Sequence, residues 1–319
     1  MKPVGAAVTV VAVALLVTFA RWSPERFWIS VAIQILISGL FAMSLDVLVG
    51  YAGLPSLGHA AFFGVGAYAF ALVSKRVSAS VFVALPGAVL AAAVVAVAIG
   101  ALSVRASGIF FLMLTLAFAQ MLYALAFGWI PVTGGSDGLS GVPRPDLGIA
   151  GANLFLTSNF YVFVAVVFVL SALALGAIVK SRFGLALVGV RENERRMRAL
   201  GYDTTRLKIA AFVISGAFAG LAGALQASFD QFVSPSDVFV TTSVAALVMV
   251  LVGGAGTLVG PVVGAFVVVS LRTFLSDQPG IGERWETLLG VLFIATVLFA
   301  RAGLIGVTRK ALRLWPRSS

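Results

Sequence analysis

The chain has one histidine and no cysteine. Disulfides, iron–sulfur clusters, thiolate chemistry and any multi-histidine metal site are therefore excluded. The groups that remain fall in three places. In the first, Asp46 ends an apolar stretch, and Ser56 and His59 follow three residues apart within LPSLGHAAFFG. An acid inside an apolar span marks function by default, because its charge is costly there. Asp46 either lines a polar path or sits hydrated at an interface just beyond Leu45. Ser56 and His59 can share one face of a helix start and hydrogen-bond across a helix break; the alternative is a structural histidine. Freed N–H groups at a half-helix start can also face a carboxylate.

The second place is the run Gly253-Gly254-Ala255-Gly256, a glycine break inside a long apolar segment. It faintly echoes the segment 53–68 in the other half of the chain. Paired interrupted segments in two halves are the sequence pointer to a transport pathway. Asp46, Ser56, His59, Gly64, Gly254 and Gly256 are the candidate path residues.

The third place is 180–208, KSRFGLALVGVRENERRMRALGYDTTRLK. It holds eight basic and three acidic residues of the 34 charged side chains in the chain. Glu192–Arg196 and Glu194–Arg198 are i,i+4 pairs in the favourable order for a helix. Gly184 opens the segment, and Gly201 after Leu200 reads as a helix stop. Leu185, Val188, Val190, Met197 and Leu200 give it an apolar side. A short amphipathic helix over 184–200 follows, either docking on a partner or simply fixing topology as a solvated loop.

Catalysis has little to work with. No nucleophile-elbow G-x-S-x-G, no HExxH and no paired carboxylates appear in an apolar span, and the chain has no P-loop ending GK[ST], so it is expected to be no enzyme and to hold no cofactor of its own. The Gly/Ser-rich loop 133-TGGSDGLSG-141 is either a contact for a delivery protein or a turn cluster.

These residues must be positioned by membrane helices. Hydrophobic residues make up 61% of the chain and charged ones 11%, with a mean hydropathy of +1.09. A soluble domain carries about 25% charged residues. Long apolar runs rather than alternating dyads argue for helices over a barrel. Uncharged runs fall at 4–20, 27–45, 47–74, 77–104, 106–136, 147–179, 209–229, 238–271 and 287–300. The run 4–20 follows Lys2 in the manner of a signal peptide but reads as the first span. Splitting 238–271 at its glycines predicts about ten crossings, each needing roughly 20 residues. The net charge of +10 clusters in 180–208 and in the tail after 300. That is the positive-inside pattern, which puts both on the cytoplasmic side and argues against nucleic-acid binding. Loops 129–157 and 230–237 then fall outside, as do Lys75 and Arg76. Glycines at small-x-x-x-small spacing, Gly216 with Gly220 and Gly260 with Gly264, predict close helix packing.

The run FG-x-AL-x-x-VRENE followed by ALGYD and AGLAGAL resembles the permease subunits of branched-chain amino acid ABC importers, the LivM type. Residues 48–68, LVGYAGLPSLGHAAFFGVGAY, 115–120, TLAFAQ, 133–141 and 251–264, LVGGAGTLVGPVVG, are similar to further motifs of that family in the same order. The resemblance implies an all-α, polytopic membrane protein, one transmembrane domain over 1–319 with a cytoplasmic coupling helix. It implies multi-pass residence in a bacterial cytoplasmic (inner) membrane, in contact with lipid. It implies three kinds of protein partner: a second homologous permease, two cytoplasmic ATPase subunits that bind the ATP-Mg, and an extracytoplasmic substrate-binding protein. Gly184, Arg191, Glu192, Asn193, Glu194, Leu200 and Gly201 would couple to the ATPases. Departures stand at Asp46, Leu54, Pro55 and Leu185, where the family usually carries Asn, Gln, Leu and Arg. The alternatives are a urea or short-amide importer and, in another class, a self-sufficient secondary transporter or channel.

Overall fold

The computed structural model describes residues 26–148 and 154–276, with scattered positions between 287 and 306. The first expected span, 4–20, the basic tail and most of the last span lie outside the described residues. Helix α1 covers Arg26–Asp46 and continues through a π-helical turn, Val47–Ala52. It is followed by α2 (His59–Arg76), α3 (Val81–Ser103), α4 (Ile109–Gly128) and the single turn α5 (Ile130–Thr133). Next come α6 (Thr157–Lys180), α7 (Arg182–Ala199), α8 (Thr204–Asp230), α9 (Val240–Gly253) and α10 (Val259–Ser276). The one sheet among the described residues pairs β1, Leu139–Ser140, antiparallel with β2, Phe232–Val233.

Five helices among the described residues are long and apolar enough to cross a membrane: Arg26–Ala52, Val81–Ser103, Ile109–Gly128, Thr157–Lys180 and Thr204–Asp230. The molecule is an all-α membrane protein. Its hub is α1. The apolar window of α1 is 78% buried within the chain, against 22% for α4. A helix that is apolar all round and surrounded by other helices belongs to the core, and one left bare faces lipid or another chain.

Small residues bring the helices together, as their spacing predicts. A Cβ on Gly66 of α2 would land on the backbone of Gly220 in α8. One on Gly216 would meet Ala96 and Phe62, and one on Gly264 would meet the Met249 carbonyl. Lipid supplies no hydrophobic drive between helices, so backbone approach of this kind is what packs them.

The run 47–74 does not form one span. Residues 47–52 prolong α1, the chain extends through 54–58, and α2 begins at His59. The cause is local. Gly53 ends the π turn in the left-handed region, at φ 68°. Pro55 has no N–H to give and disfavours helix at Leu54 before it. The helix start after the break is held by α9: the Ala60 N–H donates to Ser243 Oγ at 2.8 Å.

The helix ends sort into two groups. At one, Lys75 Nζ donates to the Ser140 carbonyl at 2.7 Å, Ser80 pairs with Asp146, and β1 meets β2. Segments 76–81, 129–148 and 230–239 therefore share that end. The other end gathers 180–204, the break after α1 and the break after α9. Lys75 and Arg76 lie opposite the charged segment, where the count of spans puts them and against the positive-inside pattern.

Candidate functional site

The charged segment is two helices rather than one. Asn193 has φ −157° and ψ 95°, which interrupts α7. Its side chain then starts the second piece, with Oδ1 accepting from the Arg196 N–H at 2.9 Å. Asn is a strong N-cap residue, so the kink is written in the sequence by a helix start inside a helix. The expected continuous helix over 184–200 is corrected on this point. The Glu194–Arg198 pair forms at 2.7 Å. Glu192 and Arg196 fall on opposite sides of the kink, which removes their i,i+4 geometry.

The second piece is stapled to α8. Glu194 Oε2 accepts from Lys208 Nζ at 2.7 Å, and Glu194 Oε1 accepts from Thr204 Oγ1 at 3.1 Å. Arg198 Nε donates to the same threonine oxygen at 2.9 Å. The Lys208 side chain is only 8% exposed. Partial burial alone would push the Glu194 carboxyl up. The hydrogen bonds from Lys208, Arg198 and Thr204 and the charge of Lys208 outweigh it and hold the group below its ordinary value. Gly201 ends the piece at φ 87°. The Gly201 N–H bonds the Arg198 carbonyl and the Tyr202 N–H bonds the Met197 carbonyl, a Schellman stop as the sequence predicts.

The first piece faces the membrane body. Ala186, Leu187 and Val190 are buried, and a Cβ on Gly184 would strike the Val179 carbonyl. The expected apolar side is divided: Val190 is buried, while Leu185 is 68% exposed and Leu200 66% exposed. The VRENE motif thus divides by direction. Arg191 and Glu194 hold partners within the chain, while Glu192 is exposed to the outside with Leu185, Leu200 and Tyr202.

Arg191 reaches the first break. Its Nη1 donates to the Gly50 carbonyl in the π turn, and its stem lies against Gly53. The two breaks meet there as well. The Gly256 N–H donates to Asp46 Oδ1 at 2.8 Å, across 210 residues of chain. A Cβ on Gly50 would fall on that carboxylate and on the Gly256 backbone, so the crossing demands glycine. Asp46 is fully buried, which corrects the hydrated-interface alternative. Its second oxygen has no hydrogen-bond partner among the described residues. Gly254 ends α9 with φ 116° beside this crossing.

Ser56 and His59 do not bond each other. Ser56 Oγ accepts from the Gly58 N–H at 3.2 Å. Ser44 Oγ donates to the Phe41 carbonyl at 2.7 Å and lies 2.8 Å from His59 Nε2. A hydroxyl has one proton, so this places the imidazole proton on Nε2. The ring stacks on Phe41 with centroids 5.1 Å apart and is fully buried. Gly64 packs against Val238 on another face of α2. The path candidates are therefore dispersed: Asp46, Gly254 and Gly256 converge, and Ser56, His59 and Gly64 stand apart from them.

Sequence reasoning missed Gly50, Ser44, Thr204 and Lys208. Lys208 carried one signal, a charge placed immediately before the apolar run 209–229, on a helix with no further charge until Asp230. Loop 133–141 is tied to neighbouring segments: Thr133 Oγ1 donates to the Ala126 carbonyl at 2.6 Å, and Leu139 pairs with Val233.

Comparison with known proteins bears on this arrangement. The family model described as branched-chain amino acid transport system / permease component matches residues 27–297. The high-affinity branched-chain amino acid transport system permease protein LivM of Escherichia coli strain K12 is 31% identical over 95% of this chain and 76% of its own length. The protein of the same name from Salmonella typhimurium is 31% identical over 94% of this chain. The autoinducer 2 import system permease protein LsrC of Yersinia enterocolitica is 30% identical over 44% of this chain and 40% of its own length. No solved structure matches the chain.

Proposed function

The chain belongs to the branched-chain amino acid ABC transport permease family, and on that premise we propose how it works. It is one of two permeases that enclose a path for branched-chain or related amino acids across a bacterial cytoplasmic membrane. About ten helices cross that membrane in one domain spanning 1–319. Two ATPase subunits bind from the side that carries 180–208, and a soluble protein delivers substrate from the other. ATP and Mg are held by those ATPases, and this chain supplies movement and shape rather than chemistry.

The observation that carries this reading is the division of the charged segment. One side of it is bonded into the membrane body through Arg191, Glu194, Leu187 and Val190. The other side leaves Leu185, Glu192, Leu200 and Tyr202 bare. Large apolar residues exposed among charges mark an interaction surface. In this reading the ATPase pair docks on that bare side, closes on ATP and moves the segment against the membrane helices. Asp46, Gly254 and Gly256 lie where that movement arrives, and Ser56, His59 and Gly64 support the wall of the path behind them.

The test is association. Leu200→Asp combined with Glu192→Ala should abolish co-purification of the ATPase subunits while the permease remains in the membrane at normal amounts. Undiminished co-purification would remove 180–208 as the docking site.

A further inference from the structure

Given that docking site, the structure assigns a second role to the crossing beneath it. We propose that Arg191, Asp46 and the backbones of Gly50 and Gly256 form the joint that carries movement of the segment into both helix breaks at once.

Three contacts make the joint. Arg191 holds the first break through the Gly50 carbonyl. Asp46, four residues before Gly50, holds the second break through the Gly256 N–H at 2.8 Å. Gly256 itself lies against both, with an added Cβ 3.3 Å from the Gly50 oxygen and 3.5 Å from Arg191 Nη1. One side chain of the docking segment is thereby tied to both interrupted helices, α1–α2 and α9–α10.

The backbone there is suited to yield. Residues 47–52 are π-helical, a form that is rare and concentrates at functional sites. The extended stretch that follows has no ladder of its own to break. The two sides of the segment also differ in anchorage. The piece after Asn193 is fixed to α8 through Glu194 and Lys208, while the piece before it grips the breaks through Arg191. The interruption at Asn193 lets the two respond separately. Hinges are a few residues at element ends that absorb the backbone change. Arg191 and Asp46 are positioning residues here, acting on the path through the glycine backbones.

The inference predicts uncoupling rather than disassembly. The whole complex, permeases with ATPases in liposomes, is assayed for ATP hydrolysis and for leucine uptake in the same preparation. Arg191→Gln and Asp46→Ala should retain both co-purifying ATPases and hydrolysis. Each leaves a partly buried backbone group without its hydrogen-bond partner, so uptake per ATP should fall about tenfold to a hundredfold. Arg191→Lys keeps the charge and can donate to the Gly50 carbonyl but lacks the planar guanidinium, and it should recover part of the loss. A parallel fall of hydrolysis and uptake, or unchanged uptake per ATP, would overturn the joint. Loss of ATPase association in these variants would also overturn it and make Arg191 part of the docking surface. If a variant fails to accumulate, Arg191→Lys decides: uptake per ATP equal to wild type contradicts the guanidinium link to Gly50. Failure of the docking reading itself shows separately, in the Leu200→Asp variant.

Discussion

Glu194 offers the most direct test of how the charged segment is built. Glu194→Ala removes the acceptor of three hydrogen bonds, from Lys208 and Arg198 at 2.7 Å each and from Thr204 at 3.1 Å. The Arg198 bond adds little, because that side chain is 62% exposed and hydrated. The Lys208 bond decides the magnitude. Its ammonium is 8% exposed and has Glu194 as its ion-pair partner among the described residues. A hydrogen bond to a charged group contributes about 1.5–3 kcal/mol, so a loss of ~2 kcal/mol is expected. Alanine is the better helix former, and intrinsic propensity therefore opposes the loss. The assay is amide hydrogen exchange over 194–208 in the purified protein. Protection should drop about 30-fold, the ratio that ~2 kcal/mol implies. The effect also has a sign with pH. The Glu194 carboxyl is held below its ordinary value, so its contribution is complete above 4.5 and disappears as pH falls through the lowered value. Wild-type protection should thus collapse toward that of the variant only in acid. Equal protection in variant and wild type at neutral pH would refute the staple.

Two further substitutions separate packing from path. Gly66→Ala drives a Cβ into the Gly220 backbone; overpacking of this kind costs about 1–3 kcal/mol and should lower the thermal midpoint in detergent. Gly87→Ala is its control, since its Cβ would meet only Val73 at 3.4 Å, and an equal loss there would argue against a specific close approach. His59→Ala strips the hydrogen bond to Ser44 and the stacking on Phe41. It should reduce the amount of folded permease several-fold in the membrane without changing which amino acids compete for uptake, because a buried large-to-small change costs about 2–5 kcal/mol. An altered competition profile with normal amounts would place His59 on the path instead.

Much of the architecture is legible because membranes impose simple rules. Apolar run lengths give α1, α3, α4, α6 and α8, and basic residues give the end that carries 180–208. Small-residue spacing gives close packing at Gly216 and Gly220 but not its partners, which are α3 and α2. The Gly201 stop is legible because only a left-handed residue completes that turn. What escapes is anything carried by contacts distant in sequence. The Asp46–Gly256 bond joins positions 210 residues apart, and no local pattern announces it. The kink at Asn193 is hidden for another reason. Acid–base spacing of i,i+4 looks continuous, whereas a cap asparagine inside it restarts the helix. The inward turn of Arg191 and Glu194 and the outward turn of Glu192 are settled by that restart. The extended stretch before His59, by contrast, is legible as a helix break inside an apolar run, marked by Gly53 and Pro55.

In the proposed function the engine is external to this chain. The measurement that tests it most directly is uptake in liposomes of leucine, isoleucine and valine by this chain with its second permease, with and without the ATPase subunits and ATP. Uptake that requires both the ATPases and ATP is the predicted result. Sustained uptake by the permease alone, driven by an ion gradient, would contradict it.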